Sequence, residues 1–557
     1  MSAAPGSRLP VPPKLQQAVA ANAVPGIMPV FADGDTELII DFGKERSGYL
    51  RFEVYAPEGA VIDAYGFEHL ENGVRQDTFG LDNTLRYICR EGRQTYISPV
   101  RRGFRYLMLT VRGTSQPLRL YGIQVLQSLY PVAETGSFRS SDSLLNEIWE
   151  ISRHTTRLCM EDTFVDCPAY EQVFWVGDSR NEALVCYYLF GAEELVERCL
   201  RLVPGSAALT PLYADQVPSG WNSVIPNWTF FWVTACLEYV RRTGNWEFAK
   251  DLWPQVKLTL DHYLRHIDER GLLHIHSWNL LDWAPLDQPN DGVVTHQNAV
   301  LVRSLSDAAE LAERAGKQEE AGIYRSQSKR LAENINLHLW SEQHHAYIDC
   351  IHADGRRSET ISMQTQVMAL LCGVAEGGRK AAIRGYLTNP PAEFVGIGSP
   401  FMSFFYYEAL AGMGEYRIML EDMRRNYGAM LRHGATACWE MYPMYGENRP
   451  NPKLLTRSHC HAWSAAPGYS LGAWVLGIRP LSDGWTAVRV APQPGDLRWA
   501  RGSVPLPSGG NIDAAWEITG DSSDPVFRLE VRAPETVQIE LAAPEGYRAE
   551  LILLPWE

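Results

Sequence analysis

Two periods of apolar residues divide the chain. Between about 28 and 133, short runs rich in β-branched and aromatic residues alternate with Gly, Asp and Asn: Glu37–Phe42, Tyr49–Val54, Tyr87–Cys89 and Tyr106–Val111. That pattern predicts an antiparallel sandwich of about 100 residues. From about 142 to 478 the period becomes helical. A helix starts at Ser143, with Asp142 or Ser143 as its N-cap. Further amphipathic segments fall near 178–190, 192–203, 227–243, 247–270, 294–315, 318–338, 359–372, 377–388, 400–412, 415–432 and 462–476. Gly191, Gly244, Gly271, Gly316, Gly373, Gly434 and Gly477 stand where C′ glycines are expected. About twelve helices joined by irregular loops predict a ring of six helical hairpins, an (α/α)6 barrel. A helical solenoid is the alternative, but no self-similarity at a fixed period supports it.

Strand patterns return from 479 to 557, at Trp485–Val490, Asn511–Ile518, Phe527–Val531 and Val537–Leu541. The expected architecture is a multidomain α+β chain. It has an extended or partly ordered lead-in at 1–27, an N-terminal β-sandwich at 28–135, the barrel at 136–478, and a C-terminal antiparallel β-sandwich at 479–557.

Composition narrows the function. The 557 residues are 45% hydrophobic and 21% charged, with net charge −15 spread along the chain. That disfavours a nucleic-acid or anionic-membrane surface. No run approaches the length of a transmembrane helix, and the N-terminus lacks a secretory pattern. The 10 cysteines include no Cys-x-x-Cys pair, so reduced thiols and a cytoplasmic location are expected. Seventeen Trp and 25 Tyr suit carbohydrate ligands as well as they suit a large aromatic core. The oligomeric state is left open, a homodimer being one option.

Five segments could carry chemistry. The first is Asp166-Cys167-Pro168-Ala169-Tyr170-Glu171-Gln172-Val173-Phe174-Trp175-Val176-Gly177-Asp178-Ser179-Arg180. It reads as a loop leading into a helix, and its acids among apolar neighbours need a ligand or a solvated face to explain them. In the second, Cys438-Trp439-Glu440-Met441, the acid is either tuned by its aromatic neighbours or an ordinary loop acid. The third, Ser458-His459-Cys460-His461, is a metal pair, a set of sugar hydrogen-bond donors, or plain helix-terminal histidines. The fourth and fifth, Trp278–Pro285 and Gly220–Trp228, are aromatic loops that serve packing or a sugar platform equally well. No phosphate-binding Gly-rich loop and no Gly-x-Ser-x-Gly elbow occurs.

The ordered set from Asp166-Cys167-Pro168 to Gly177-Asp178, then Trp439-Glu440 and His459-Cys460-His461, resembles the inverting α-L-rhamnosidases of glycoside hydrolase family 78. The Asp41-Phe42-Gly43 and Ser47-Gly48-Tyr49 pattern adds to it. The likeness spans roughly 35–520. It implies a glycoside hydrolase that releases terminal α-L-rhamnose, with Glu171 as general acid and Glu440 as general base. It also implies that Asp166 and Asp178 hold sugar hydroxyls, with His461, or in its place His459, touching the sugar. Arg180, Trp175, Trp221, Trp283 and Trp439 complete the expected substrate-binding set. No cofactor and no metal are expected, and the partner is a rhamnoside. Many members have Arg-Asp-Glu where this chain has Tyr170-Glu171-Gln172, in a loop longer by one residue. Another specificity, a rhamnose–uronate lyase, or an inactive sugar-binding protein on the same barrel are the rival expectations.

Overall fold

The computed structural model describes residues 11, 13–21, 25–30, 34–76, 82–443, 455–520 and 524–555. They divide into two compact units. The smaller comprises 1–130 with 167–171 and 458–460, and the larger comprises 131–166, 172–457 and 461–557.

The lead-in of the smaller unit is not simply extended. Pro13–Ala21 is a helix. Pro13 stands at its first position, where a missing N–H costs nothing, and Leu, Gln and Ala follow. Leu15 and Ala18, three residues apart and so on one face, are buried. Gly26 begins a short strand that packs on this helix: a Cβ there would lie 2.6 Å from the Cα of Leu15.

The two strands expected at 37–42 and 49–54 are one, Thr36–Ala56. Its pairing register shifts between Asp41 and Arg46, and Gly43 takes φ +81° inside that irregularity. A bulge absorbs the break in alternation that made the segment look like two strands. The first half pairs Arg102–Arg112, whereas the second pairs Leu118–Gln127 on one edge and Gly92–Ile97 on the other. Ile40, Leu50, Phe52 and Val54 from both halves meet Leu107, Leu109, Leu120 and Ile123 in one core.

In the larger unit, Asp142 caps Ser143–Leu158, its carboxylate accepting the N–H groups of Leu144 and Leu145. The helices then alternate in character. Asp178–Leu189, Pro226–Thr243, Thr295–Arg314, Met363–Leu371 and Pro400–Met413 are buried nearly all round. Glu193–Leu202, Trp246–Tyr263, Gln318–His338, Gly377–Thr388 and Tyr416–Arg432 bury one stripe each. That is the signature of inner helices each followed by an outer one.

All seven predicted C′ glycines have left-handed φ. Gly271, however, serves a turn beyond its helix, which ends at Tyr263 with a 3₁₀ turn following at Leu264–His266. The segment expected as one helix at 462–476 is instead a 3₁₀ turn, the short helix Ala466–Ser470 and a π turn at Leu471–Val475. Pro467 and two glycines weaken it, and Gly472 lies so close to Tyr188 that a Cβ would meet the ring at 2.7 Å.

The C-terminal strands form a five-stranded and a three-stranded sheet. The first begins with Ser137–Ser140, which precedes the helices and pairs with Trp499–Pro505. The expectation of an all-antiparallel arrangement is wrong at two places. Val526–Arg532 runs parallel to Arg548–Leu554, and Ala487–Val490 parallel to Gln538–Leu541. Between Arg532 and Arg548 the chain crosses to the other sheet and returns, the kind of crossover parallel neighbours require. Tyr188 and Trp516 tie these sheets to the helices through the carbonyls of Ile478 and Val475, at 2.8 and 2.9 Å.

Candidate active site

The acidic loop is closed by its own first residue. Asp166 is fully buried. Its N–H donates to the Val173 carbonyl at 3.0 Å, and its Oδ1 accepts the Val173 N–H at 3.1 Å. Gln172 takes φ +56° to make the turn between them. Past the turn, Trp175 pairs with Gln216, and the Val176 N–H donates to the Asp215 carbonyl at 2.9 Å. Gly177 then opens the helix with no room for a side chain, since a Cβ there would lie 2.3 Å from the ring of Trp228. Asp178 occupies the first turn and is buried, where the helix dipole favours a negative charge.

One turn further on lies a residue the sequence reading missed. Glu182 is buried, and neither carboxyl oxygen has a hydrogen-bond partner among the described residues. Burial first, then the nearby Asp178, Cys159 and Asp166, pushes its carboxyl well above the ordinary range. Its position at i+4 from Asp178 was legible, but its burial was not.

Glu440 is 2% exposed, and its Oε1 lies 3.4 Å from Nε of Arg457. Its segment is pinned on both sides. The Cys438 N–H donates to Thr155 Oγ1 at 2.7 Å and the Met441 N–H to Thr456 Oγ1 at 3.0 Å, and the Glu440 carbonyl accepts Trp463 Nε1 at 3.1 Å. The Arg457 guanidinium stacks 4.3 Å from the centre of the Trp283 ring. From Trp283 a run of tryptophans continues through Trp278 and Trp175 to Trp221, with ring centres 6.4, 6.0 and 6.1 Å apart. Trp221 ends the run 55% exposed. Trp278 was quoted in its motif but not singled out. Trp439, expected at the sugar, is buried with its ring against His433.

The loop carrying Trp278 and Trp283 is held by polar anchors. The Asp282 carboxylate accepts Gln364 Nε2 at 2.7 Å and the Gly398 N–H at 2.9 Å. Asn279 accepts Gln297 Nε2 at 2.7 Å and donates to the Pro289 carbonyl at 2.8 Å.

The two histidines of the His-x-His pair have different neighbours. His461 Nε2 lies 3.6 Å from Asp166 Oδ2, and its ring packs on Trp463 at 4.5 Å. Burial first, then Arg457, holds it far below the ordinary histidine range, which favours the neutral imidazole beside Asp166. His459 stacks on His69 at 4.8 Å, and its backbone N–H donates to Glu68 Oε2 at 3.0 Å. Among the described residues, neither histidine belongs to a group of three metal-capable side chains. In the smaller unit, Glu171 is half-buried. Its stretch is fixed there by the Gly103 N–H on the Pro168 carbonyl at 2.7 Å and by Asn83 Nδ2 on the Ala169 carbonyl at 3.0 Å.

Arg180 departs from expectation. It is buried between helices, with Nη2 and Nε on the Glu238 carboxylate at 2.6 and 3.0 Å and Nη1 3.3 Å from Glu408. Phe404 and Phe405 flank it. Its guanidinium is committed to holding helices, because a buried cation requires nearby carboxylates. Arg180→Ala should therefore cost about 3–5 kcal/mol by leaving those acids unpaired. Denaturant unfolding measures the loss, and KM should not change in the fraction that folds.

His296 gives a pH test of the same helical core. It is fully buried, its Nδ1 is 3.2 Å from Asn227 Nδ2, and burial lowers its pKa to about 3. Above pH 6.5 both folded and unfolded imidazoles are neutral. Below it, only the unfolded one takes up a proton. The stability advantage of the wild type over His296→Gln should thus be full above pH 6.5. It should shrink by about 1.4 kcal/mol per pH unit as pH falls toward the folded value, as followed by urea melts at several pH values.

The chain thus sets a helical domain in sequence between two β domains, with buried acids and a run of tryptophans on the loops of the helical domain. Residues 133–475 match the bacterial alpha-L-rhamnosidase six-hairpin glycosidase domain. Residues 32–126 match the concanavalin-like domain and 477–551 the C-terminal domain of the same proteins. The chain belongs to the bacterial alpha-L-rhamnosidase family.

Among solved structures, a family 78 rhamnosidase from Bacillus sp. GL1 is 63% identical, with TM-score 0.94 over 96% of this chain and 56% of that one. A rhamnosidase from Klebsiella oxytoca with rhamnose bound is 25% identical, with TM-score 0.67 over 79% of this chain and 87% of that one. An alpha-L-rhamnosidase of Formosa agariphila is 24% identical over 477 residues. This chain spans 47% of the Formosa relative's length. No helix among the described residues is long and apolar enough to cross a membrane.

Proposed function

We propose that this chain is an inverting α-L-rhamnosidase, with Glu171 the general acid and Glu440 the general base. The observation that carries the reading is Glu440 itself. It is a buried carboxylate beside a permanently charged arginine, and that arginine's other face lies on a tryptophan. An always-cationic neighbour favours the ionised form a base needs. In an inverting enzyme the base deprotonates a water on the face of the ring opposite the leaving group, while the acid protonates the departing oxygen. The two carboxyl groups are then about 6.5–9.5 Å apart.

Asp166 and Asp178 hold sugar hydroxyls in this reading. Asp166 is suited to that role because its loop is clamped through its own carboxylate, and neutral His461 beside it donates or accepts without competing for charge. The run from Trp221 to Trp283 offers flat apolar faces to the C–H edges and the 6-methyl group of rhamnose. The alternation of fully buried and one-stripe helices supports closure of the helical domain into an (α/α)6 barrel.

The test is a panel of nitrophenyl glycosides with proton NMR of the first-formed sugar. Release from the α-L-rhamnoside with the β anomer appearing first is expected. An α anomer first would overturn inversion, and release only from other glycosides would overturn the substrate. A rise in ultraviolet absorbance from an unsaturated product would mark a lyase instead.

A further inference from the structure

The donor atoms of Asp287, Cys350 and His352, none of them used in the reading above, all fall within 4.8 Å of one another. The strand Cys350–His352 pairs antiparallel with Asp291–Val294. Because side chains two apart on a strand share a face, it presents Cys350 and His352 together. Asp287 meets them from the preceding loop, with Oδ2 2.9 Å from His352 Nε2. Cys350 is fully buried, whereas His352 and Asp287 keep 18% and 25% of their side chains exposed, so the cluster is reached from solvent on one side.

We propose that Asp287, Cys350 and His352 form a binding site for a zinc-class divalent cation, with water completing a four-coordinate shell. One thiolate, one imidazole and one carboxylate is a donor set that suits borderline-soft ions and not calcium or magnesium. Zinc–ligand bonds of about 2.0–2.3 Å put tetrahedral donors roughly 3.3–3.8 Å apart. The Asp287–His352 edge, 2.9 Å in this structure, opens slightly as the ion replaces their hydrogen bond. His352 binds through Nε2 with its proton on Nδ1, and the Cys350 thiol proton leaves to solvent, so affinity rises with pH.

The surroundings are those of a supported site. The Asp287 N–H donates to Asp349 Oδ2 at 3.1 Å. The other oxygen of that buried aspartate accepts Ser362 and Thr365 hydroxyls at 2.6 and 2.7 Å. The Ser358 N–H donates to the Cys350 carbonyl at 2.9 Å. The neighbouring Gln288 side chain accepts the Leu281 N–H at 2.9 Å and donates to the Asp282 carbonyl at 3.1 Å. An ion on Asp287 is thereby tied to the loop that carries Trp278 and Trp283, and would clamp it.

The whole chain, stripped with a chelator and dialysed, is titrated with Co²⁺ alone and then with Zn²⁺. One equivalent of Co²⁺ should give tetrahedral d–d bands and a thiolate-to-cobalt charge-transfer band, both displaced by Zn²⁺. Cys350→Ser should lose the charge-transfer band. Asp287→Asn and His352→Gln, changed at partly exposed positions, should each weaken uptake at least tenfold while remaining folded by circular dichroism. No stoichiometric uptake by folded wild type overturns the site. A charge-transfer band that persists in Cys350→Ser, or unchanged affinity in both other variants, overturns these ligands.

Discussion

Glu440→Gln is expected to lower kcat on an aryl α-L-rhamnoside by about 10²–10⁴-fold, the usual contribution of a positioned general base. The substitution keeps the shape of a side chain that is almost wholly buried, and the pinned backbone on both sides of it is untouched. An amide cannot take a proton from water, so the loss should fall on kcat, with KM within a few-fold. Arg457 loses its charged partner in the variant but keeps its stacking on Trp283. Azide, a nucleophile that needs no deprotonation, should restore turnover and give the inverted glycosyl azide. Wild-type kcat in the folded variant would refute the role.

Glu171→Gln is expected to produce a loss of similar size with a different signature. A general acid matters in proportion to how badly the leaving oxygen needs a proton. The fall should be several orders of magnitude for a sugar or alkyl aglycone and small for a dinitrophenyl one, and the basic limb of the kcat/KM profile should flatten. Azide should not rescue it. Equal losses across leaving groups would show that Glu171 acts otherwise.

Much of the scaffold was legible residue by residue. The cap was readable as Asp142 or Ser143, because short polar residues before an apolar-periodic run favour that position, and the structure chose Asp142. The C′ glycines marked turns because the left-handed conformation they adopt is costly for other residues. Errors fell where local pattern and tertiary context conflict. The bulge in Thr36–Ala56 looked like a gap between two strands, and Pro13–Ala21 was masked by its Ala- and Pro-rich surroundings. Within 462–476, the need for glycine at 472 is set by Tyr188, almost 300 positions earlier in the chain. Arg180 shows the same limit. An arginine two residues after an acidic motif suggests a ligand, yet Glu238 and Glu408 claim it from distant helices.

The sequence by itself determined the order β, α, β and the glycine turns that close many of the helices, because periodicity, capping and turn chemistry act over a few residues. Only the tertiary structure decided which side chains share an environment. It placed His461 with Asp166 and His459 with Glu68 and His69, gave Glu440 to Arg457, buried Glu182 with no hydrogen-bond partner among the described residues, and gathered Asp287, Cys350 and His352. Burial and charge pairing, which set what each group can do, depend on neighbours tens to hundreds of residues away.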